Sequence, residues 1–272
     1  MTAVTNEEKK KLLSKIRCFV LDMDGTIYLG NHLFPFTPTF LQTVTNTGRE
    51  YCYFTNNSSK NAASYLQKLE RMGIPVSAEK MLISNGVIID WLNRHHPGQT
   101  VYLVGTPDLE EAFRQGGIPL VQQDPDLVVL GFDTTLTYEK LSKACRFVRE
   151  GKPIYGVNPD FNCPVEDGFI PDCGSMAALI HASTGVMPEF FGKPSRHTLH
   201  YLLEHTGCKE EELAVIGDRL YTDIKVADGT DVTSILVLSG ETQLSDLRES
   251  PVQPDMVCES LEEVTRLLEE LP

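Results

Sequence analysis

Nowhere does the sequence contain an apolar run approaching the ~20 residues that cross a bilayer, and residues 5–15 are rich in Glu and Lys where a secretory signal would be apolar. Both absences make a soluble, cytoplasmic protein the expectation. Positive charge is scarce: 24 Lys and Arg stand against 38 Asp and Glu, a formal net charge of -14. Such a surface repels the phosphates of nucleic acids and anionic lipids, so neither nucleic acid nor membrane is an expected partner. Any phosphorylated ligand must then meet a local cation or lysine that reverses the field. The 7 cysteines form an odd set with no C-x-x-C spacing, which argues against a disulfide framework and a zinc ribbon and suits reduced thiols. Internal repeats are missing, and no Pro-, Gly- or Ser-rich tether divides the chain, so a second domain has to be an insertion.

What the chain does contain is a succession of short apolar runs alternating with segments of helical period, the pattern of a mostly parallel sheet with helices on its faces. The expected class is therefore α/β. Cys18–Leu21, residues 51–54 and residues 213–216 read as strands buried on both faces, each ending on a polar residue. Helices are expected over residues 38–47, 61–72, 195–205 and 260–270. In the last, Leu261, Val264, Leu267, Leu268 and Leu271 share a face, and Ser260 with Glu263 forms a capping-box pattern.

The run Cys18-Phe-Val-Leu-Asp22-Met-Asp24-Gly25-Thr26 places two carboxylates at the carboxyl end of a buried strand, where open α/β sheets bind ligands. Residues two apart in an extended segment point the same way, so Asp22 and Asp24 face one pocket. Two carboxylates this close require a divalent cation or a shared proton, and either condition suits phosphoryl chemistry. An Asp-rich turn is the plainer alternative, but D-x-D-G-T arises by chance in only about 0.2% of chains of this length, at roughly one in twenty per specified residue.

This motif resembles the first motif of the haloacid dehalogenase superfamily. Phe54-Thr55-Asn56-Asn57-Ser58 resembles the second, Gly192-Lys193-Pro194-Ser195 the third, and Gly217-Asp218-Arg-Leu-Tyr-Thr222-Asp223 the fourth. The four occur in the family's order, each at an expected strand end or helix start. The resemblance implies a Rossmann-like catalytic core and a Mg²⁺-dependent phosphatase, with Asp22 as nucleophile and Asp24 as general acid and base. It also implies Thr55, Asn56 and Lys193 as phosphate contacts, and Mg²⁺ held by Asp22, the Asp24 backbone carbonyl and Asp218, with Asp223 orienting its neighbours.

The interval from Thr26 to Thr55 has room for one helix and little else. The interval from Thr55 to Lys193 exceeds by roughly a hundred residues what one or two βα units need, a domain's worth. That surplus carries strand patterns at Val101–Val104, Leu127–Leu130 and residues 154–157, and helix patterns at residues 109–115 and Tyr138–Arg149. The expected organisation is a core of residues 1–82 and 186–272 with an inserted α/β cap over 83–185. An insert at this point, with G-K-P-S and G-D-R-x-x-T-D-I, resembles the NagD-like, or p-nitrophenyl phosphatase, branch, whose cap is of the C2 type. The branch usually carries Gly three residues beyond Ile224, where this chain has Ala227 and then Gly229.

The resemblance implies hydrolysis of small phosphate monoesters such as sugar phosphates or nucleotides, through an aspartyl-phosphate. A small phosphorylated metabolite is the expected partner, and a homo-oligomer is compatible with the sequence. Transfer to another hydroxyl, as in a mutase, and a phosphate-sensing module with the same acidic pocket are the alternatives. Substrate choice is expected from the cap segment 158–174, which shows neither helical nor strand period, through Phe161, Asn162, Cys163 and Glu166. His197, His200 and His205 read as an exposed helical face rather than a metal site, and Trp91 as packing.

Overall fold

The computed structural model describes residues 5–74, 76–165 and 168–271. Its strands in chain order are β1 (Cys18–Leu21), β2 (Tyr28–Leu29), β3 (His32–Leu33), β4 (Glu50–Thr55), β5 (Met81–Ile83), β6 (Val101–Val104), β7 (Leu127–Leu130), β8 (Ile154–Gly156), β9 (Asn162–Val165), β10 (Gly168–Pro171), β11 (Glu189–Phe190), β12 (Leu213–Gly217), β13 (Thr233–Val237) and β14 (Met256–Cys258). The chain divides into two compact units. One comprises the described residues of Met1–Phe54, Leu66–Leu82 and Leu199–Pro272, the other Thr55–Tyr65 and the described residues of Ile83–Thr198.

In the first unit the strands form a six-stranded sheet in the order β14-β13-β12-β1-β4-β5. β1 lies parallel to β12 on one side and to β4 on the other, with Val20 opposite Val215 and Cys52. Every residue of β1, β12 and β13 is buried, as strands covered by helices on both faces require. The helix Leu261–Glu269 buries Leu261, Val264, Leu267 and Leu268 and packs on the helices Thr37–Asn46 and Asn6–Leu13. Ser260 caps it through the Glu262 amide, but the expected capping box does not close. The Glu263 carboxylate instead accepts from the Glu259 amide and from Lys9. After Ile224, Ala227 is buried and Gly229 takes φ +70°.

The second unit is built on a four-stranded parallel sheet, β11-β8-β7-β6. Its core gathers Val104, Leu130, Phe132, Phe147 and Ile180, with the helices Tyr138–Arg149 and Cys173–Thr184 packed on one another. The unit is wider than residues 83–185: it runs to Thr198 and takes in Thr55–Tyr65. The reason is hydrogen bonding, since Ser58 Oγ accepts from the Phe132 amide at 3.2 Å and the Ser59 carbonyl from Thr106 Oγ1 at 3.0 Å. Residues 158–174 also depart from expectation, because β9 and β10 pair there as an antiparallel hairpin, Cys163 opposite Ile170. Phe161 and Phe169, 59% and 68% exposed, stay outside the core.

The remaining cautious readings fit the observed packing. Trp91 is ringed by Tyr155, Phe191, His95, His96 and His197. The three helix histidines go to separate partners: His197 to Glu189, His200 to Glu204 and His205 to the Glu79 carbonyl. Every cysteine is a free thiol, and among the described residues no helix is long and apolar enough to cross a membrane.

Candidate active site

Strand ends place the acidic residues. Asp22 follows β1 and extends its ladder, its amide donating to the Ile216 carbonyl at 2.8 Å. Asp218 follows β12, and Asp223 lies on the single wide turn Leu220–Ile224. One carboxylate oxygen from each of Asp22, Asp218 and Asp223 lies within 4.8 Å of the other two. Asp223, expected only to orient its neighbours, thus stands with the two side-chain carboxylates expected to hold a cation.

Asp218 is the most constrained of the three. It is 2% exposed, its Oδ2 accepts from the Glu241 amide at 2.7 Å, and its Oδ1 is buried with no hydrogen-bond partner among the described residues. Burial, and then the charges of Asp22 and Asp223, push its carboxyl well above the usual carboxylate range. Backbone crowds it from two directions: a Cβ on Gly25 would come within 2.3 Å of Asp218 Oδ2, and one on Gly240 within 2.0 Å. Gly25 also holds φ +84°, which a side chain would strain. Ser239 Oγ donates to the Gly25 carbonyl at 2.7 Å, so the loop after β13 is tied to the loop after β1.

Three converging carboxylates with an orphaned buried oxygen are unfavourable as bare anions and well matched to a hard divalent cation, which takes oxygen donors. The donor set therefore fits the metal that the family resemblance implies. Asp24 is outside this trio. Burial raises its carboxyl above the ordinary value, against the pull of the Lys68 charge, the Gly30 amide and Arg219. Lys68 itself lies over the Tyr28 ring, 3.8 Å from its centroid. A carboxyl that holds its proton more tightly than usual is suited to donating it.

In the second unit Thr55 ends β4, 8% exposed, with its Oγ1 accepting from the Asn57 amide at 3.2 Å. Lys193 is 5% exposed. Asn56 was expected at the phosphate through its side chain or its backbone, and its carboxamide is engaged within the protein: Oδ1 accepts from Lys193 N at 2.8 Å, and Nδ2 donates to the Lys193 carbonyl at 2.9 Å and to Asp160 Oδ2 at 3.2 Å. The Asn56 carbonyl in turn accepts from Ser84 Oγ and from Asn158 Nδ2, both at 2.8 Å. Ser84, Asn158 and Asp160 thus belong to the cradle of Asn56. On the hairpin, Asn162 is exposed and Cys163 half-buried, its Sγ taking the Asn57 side-chain amide at 3.5 Å. Glu166 lies outside the described residues.

The family model described as haloacid dehalogenase-like hydrolase matches residues 19–119, and a HAD-hydrolase-like model matches residues 190–264. The acid sugar phosphatase of Staphylococcus saprophyticus is 33% identical over 258 residues, covering 94% of this chain and 100% of that protein. The crystal structure of the 4-nitrophenylphosphatase of Thermotoga maritima superposes with a TM-score of 0.91 at 41% identity, over 94% of this chain and 98% of that one. NagD from E. coli K-12 gives a TM-score of 0.85 at 28% identity, covering 92% and 98%.

Proposed function

The chain belongs to the haloacid dehalogenase-like hydrolases, as an enzyme of the NagD-like, p-nitrophenyl phosphatase branch, and from that premise we propose that it hydrolyses small phosphate monoesters in two steps through an aspartyl-phosphate on Asp22. The observation that carries the reading is the convergence of Asp22, Asp218 and Asp223 around a buried Asp218 oxygen without a partner. We assign Mg²⁺ to these carboxylates, where its charge offsets theirs and that of the phosphoryl group.

In the first step an Asp22 oxygen attacks phosphorus, the bond to the ester oxygen breaks, and the departing alkoxide takes the Asp24 proton. Burial that raises the Asp24 carboxyl keeps that proton available. In the second step the Asp24 carboxylate takes a proton from water as that water attacks phosphorus, releasing phosphate and restoring Asp22. Thr55 Oγ1 and the Lys193 ammonium contact the phosphoryl oxygens, and Asn56 serves them by fixing the Lys193 backbone. Phe161, Asn162 and Cys163, with Glu166, select the rest of the substrate. Sugar phosphates are the first class to try, given the acid sugar phosphatases among its relatives.

The test is phosphate release from a panel of phosphorylated metabolites with no acceptor added, with Mg²⁺ and then with EDTA, together with rapid-quench mass spectrometry of the protein. Release that needs Mg²⁺, with a phosphorylated peptide containing Asp22, is the expected result. Turnover undiminished by EDTA, or phosphate appearing only when an acceptor hydroxyl is supplied, would overturn it.

A further inference from the structure

One cation stands beside the three carboxylates, and the reaction as proposed does not use it. Arg219 follows Asp218 directly, and its amide donates to Asp223 Oδ2 at 3.1 Å. Its guanidinium, with a side chain only 16% exposed, forms an ion pair with Glu241, Nε to Oε2 at 3.0 Å. That Nε–H is not aligned on an acceptor, so the pair is held by charge rather than by a directed hydrogen bond. The other oxygen of the same carboxylate, Glu241 Oε1, accepts from Tyr221 Oη at 2.7 Å. The Glu241 amide meanwhile donates to Asp218 Oδ2 at 2.7 Å. Glu241 therefore touches the acidic site twice, through its backbone on Asp218 and through its side chain on Arg219.

We propose that Arg219 and Glu241 are positioning residues that set the affinity of the Asp22, Asp218 and Asp223 site for its divalent cation with opposite signs. Arg219 acts as a resident counter-charge, and Glu241, anchored by Tyr221, offsets that charge and draws the guanidinium away from the carboxylates.

The argument is electrostatic and rests on the reading of these carboxylates as a cation site. A permanent positive charge next to a cation site lowers its affinity, because the incoming ion meets repulsion and the ligands already have a partner. Without that charge, two buried carboxylates and the half-buried Asp22 repel one another whenever the metal leaves. The charges of Asp22, Asp218 and Asp223 act on the Arg219 guanidinium, which stays protonated at any working pH. The Arg219 charge is therefore permanent. Only its position and its neighbour's charge can be altered, and Glu241 controls both. Tyr221, 54% exposed, holds Glu241 from the solvent side.

The experiment measures Mg²⁺ affinity by calorimetric titration, and by the Mg²⁺ dependence of the melting temperature, in the full chain and three variants. Arg219→Met should bind Mg²⁺ roughly five- to twenty-fold more tightly than the native chain, since a facing positive charge is removed. Glu241→Gln should bind about as many fold more weakly, and Tyr221→Phe about two-fold more weakly, because a freed Arg219 then competes for the carboxylates. A role in folding alone would weaken binding in every variant. Parallel losses, or affinities equal to the native one, would therefore overturn the inference. If Arg219→Met does not fold, Arg219→Gln takes its place and must likewise bind Mg²⁺ more tightly, the one direction that a role in folding alone does not produce. Absence of saturable Mg²⁺ binding by the native chain would instead sink the cation-site reading itself, and the two failures are thus distinguishable.

Discussion

Asn56 holds Lys193 by the backbone: its Oδ1 accepts from the Lys193 amide at 2.8 Å, and its Nδ2 donates to the Lys193 carbonyl at 2.9 Å. A side-chain amide here does what a neighbouring strand does, pairing both polar groups of one residue. The ammonium of a lysine fixed in this way starts from a set point, which is what positioning a phosphate requires. Asn56→Ala should lower kcat/KM by roughly 10²-fold, since a misplaced contact group costs about that much. It should also lower stability by about 1–3 kcal/mol for the buried groups left unpaired. The decisive measurement is the double variant. If Asn56 acts through Lys193, adding Asn56→Ala to Lys193→Met produces no further loss of kcat/KM, whereas a multiplied loss would assign Asn56 a separate contact.

Asp22→Asn should reduce turnover by roughly 10⁴-fold or more, since a nucleophile and a cation ligand disappear together. In Asp24→Asn the step that phosphorylates Asp22 should slow strongly with alkyl phosphates and less with p-nitrophenyl phosphate, whose leaving group needs little protonation, while the hydrolysis of phospho-Asp22 slows alike for both. Steady-state rates for Asp22→Asn, and the rapid-quench rate at which phospho-Asp22 forms and persists in the Asp24→Asn chain, check both. Equal slowing of phospho-Asp22 formation on the two substrate types would remove Asp24 from the role of acid.

Gly240 has no room for a side chain, a Cβ there falling 2.0 Å from Asp218 Oδ2. Gly240→Ala should displace the Asp218 carboxylate while leaving the core of the sheet intact. Mg²⁺ affinity should fall by at least about ten-fold, because one oxygen of a nearly fixed donor set is moved. Calorimetric titration of Mg²⁺ alongside the melting temperature of the metal-free chain separates this from general destabilisation.

Lys9 and Glu263 join the first helix to the last. Lys9 Nζ donates to Glu263 Oε1 at 2.6 Å and to the Val257 carbonyl at 2.7 Å, with 10% and 20% of the two side chains exposed. Burial pushes the Glu263 carboxyl up, but the Lys9 hydrogen bond, the Glu259 amide and the charges of Lys9 and Arg266 outweigh it, leaving the carboxyl below its ordinary value of 4.5. A carboxyl depressed by folding stabilises the protein fully above its unfolded value and loses that contribution as pH falls through its folded value. Glu263→Gln should therefore cost about 1–3 kcal/mol at neutral pH. The gap in unfolding free energy between native chain and variant should hold constant down to the ordinary value of 4.5 and close below it. Urea titrations at a series of pH values would show this, and a gap that persists in acid would exclude the ionised pair as its source.

Much of this architecture can be read in the chain because its strands are short, apolar and doubly buried. β1, β6 and β7 coincide with the expected runs residue for residue, and the helix Tyr138–Arg149 does so as well. The hairpin of β9 and β10 was missed because Pro164 and Pro171 interrupt it and its side chains alternate only weakly in burial. The helix Cys173–Thr184 was missed because its residues are small and apolar nearly all round, which erases the helical period. Asp22 and Asp218 were legible because each adjoins a strand end, and Asp24 and Asp223 because they stand in the motifs that follow those ends. Their settings were not: the grip of Asn56 on Lys193 and of Glu241 on Asp218 joins residues 137 and 23 positions apart. No local pattern encodes such partners.

The pairing of β1 between β4 and β12 also governs how the protein is made. β4 and β5 follow β1 soon after translation of the first strand, but β12, β13 and β14 leave the ribosome only after the entire inserted segment has been synthesised. Until then one long edge of β1 offers unpaired amides and carbonyls beside exposed apolar side chains, an invitation to pair with another nascent chain. Closing the sheet across so long a loop is slow, as contacts of high sequence separation are. The first unit consequently completes its sheet only after the second unit has been synthesised, and its yield in a cell depends on how well that waiting edge is protected.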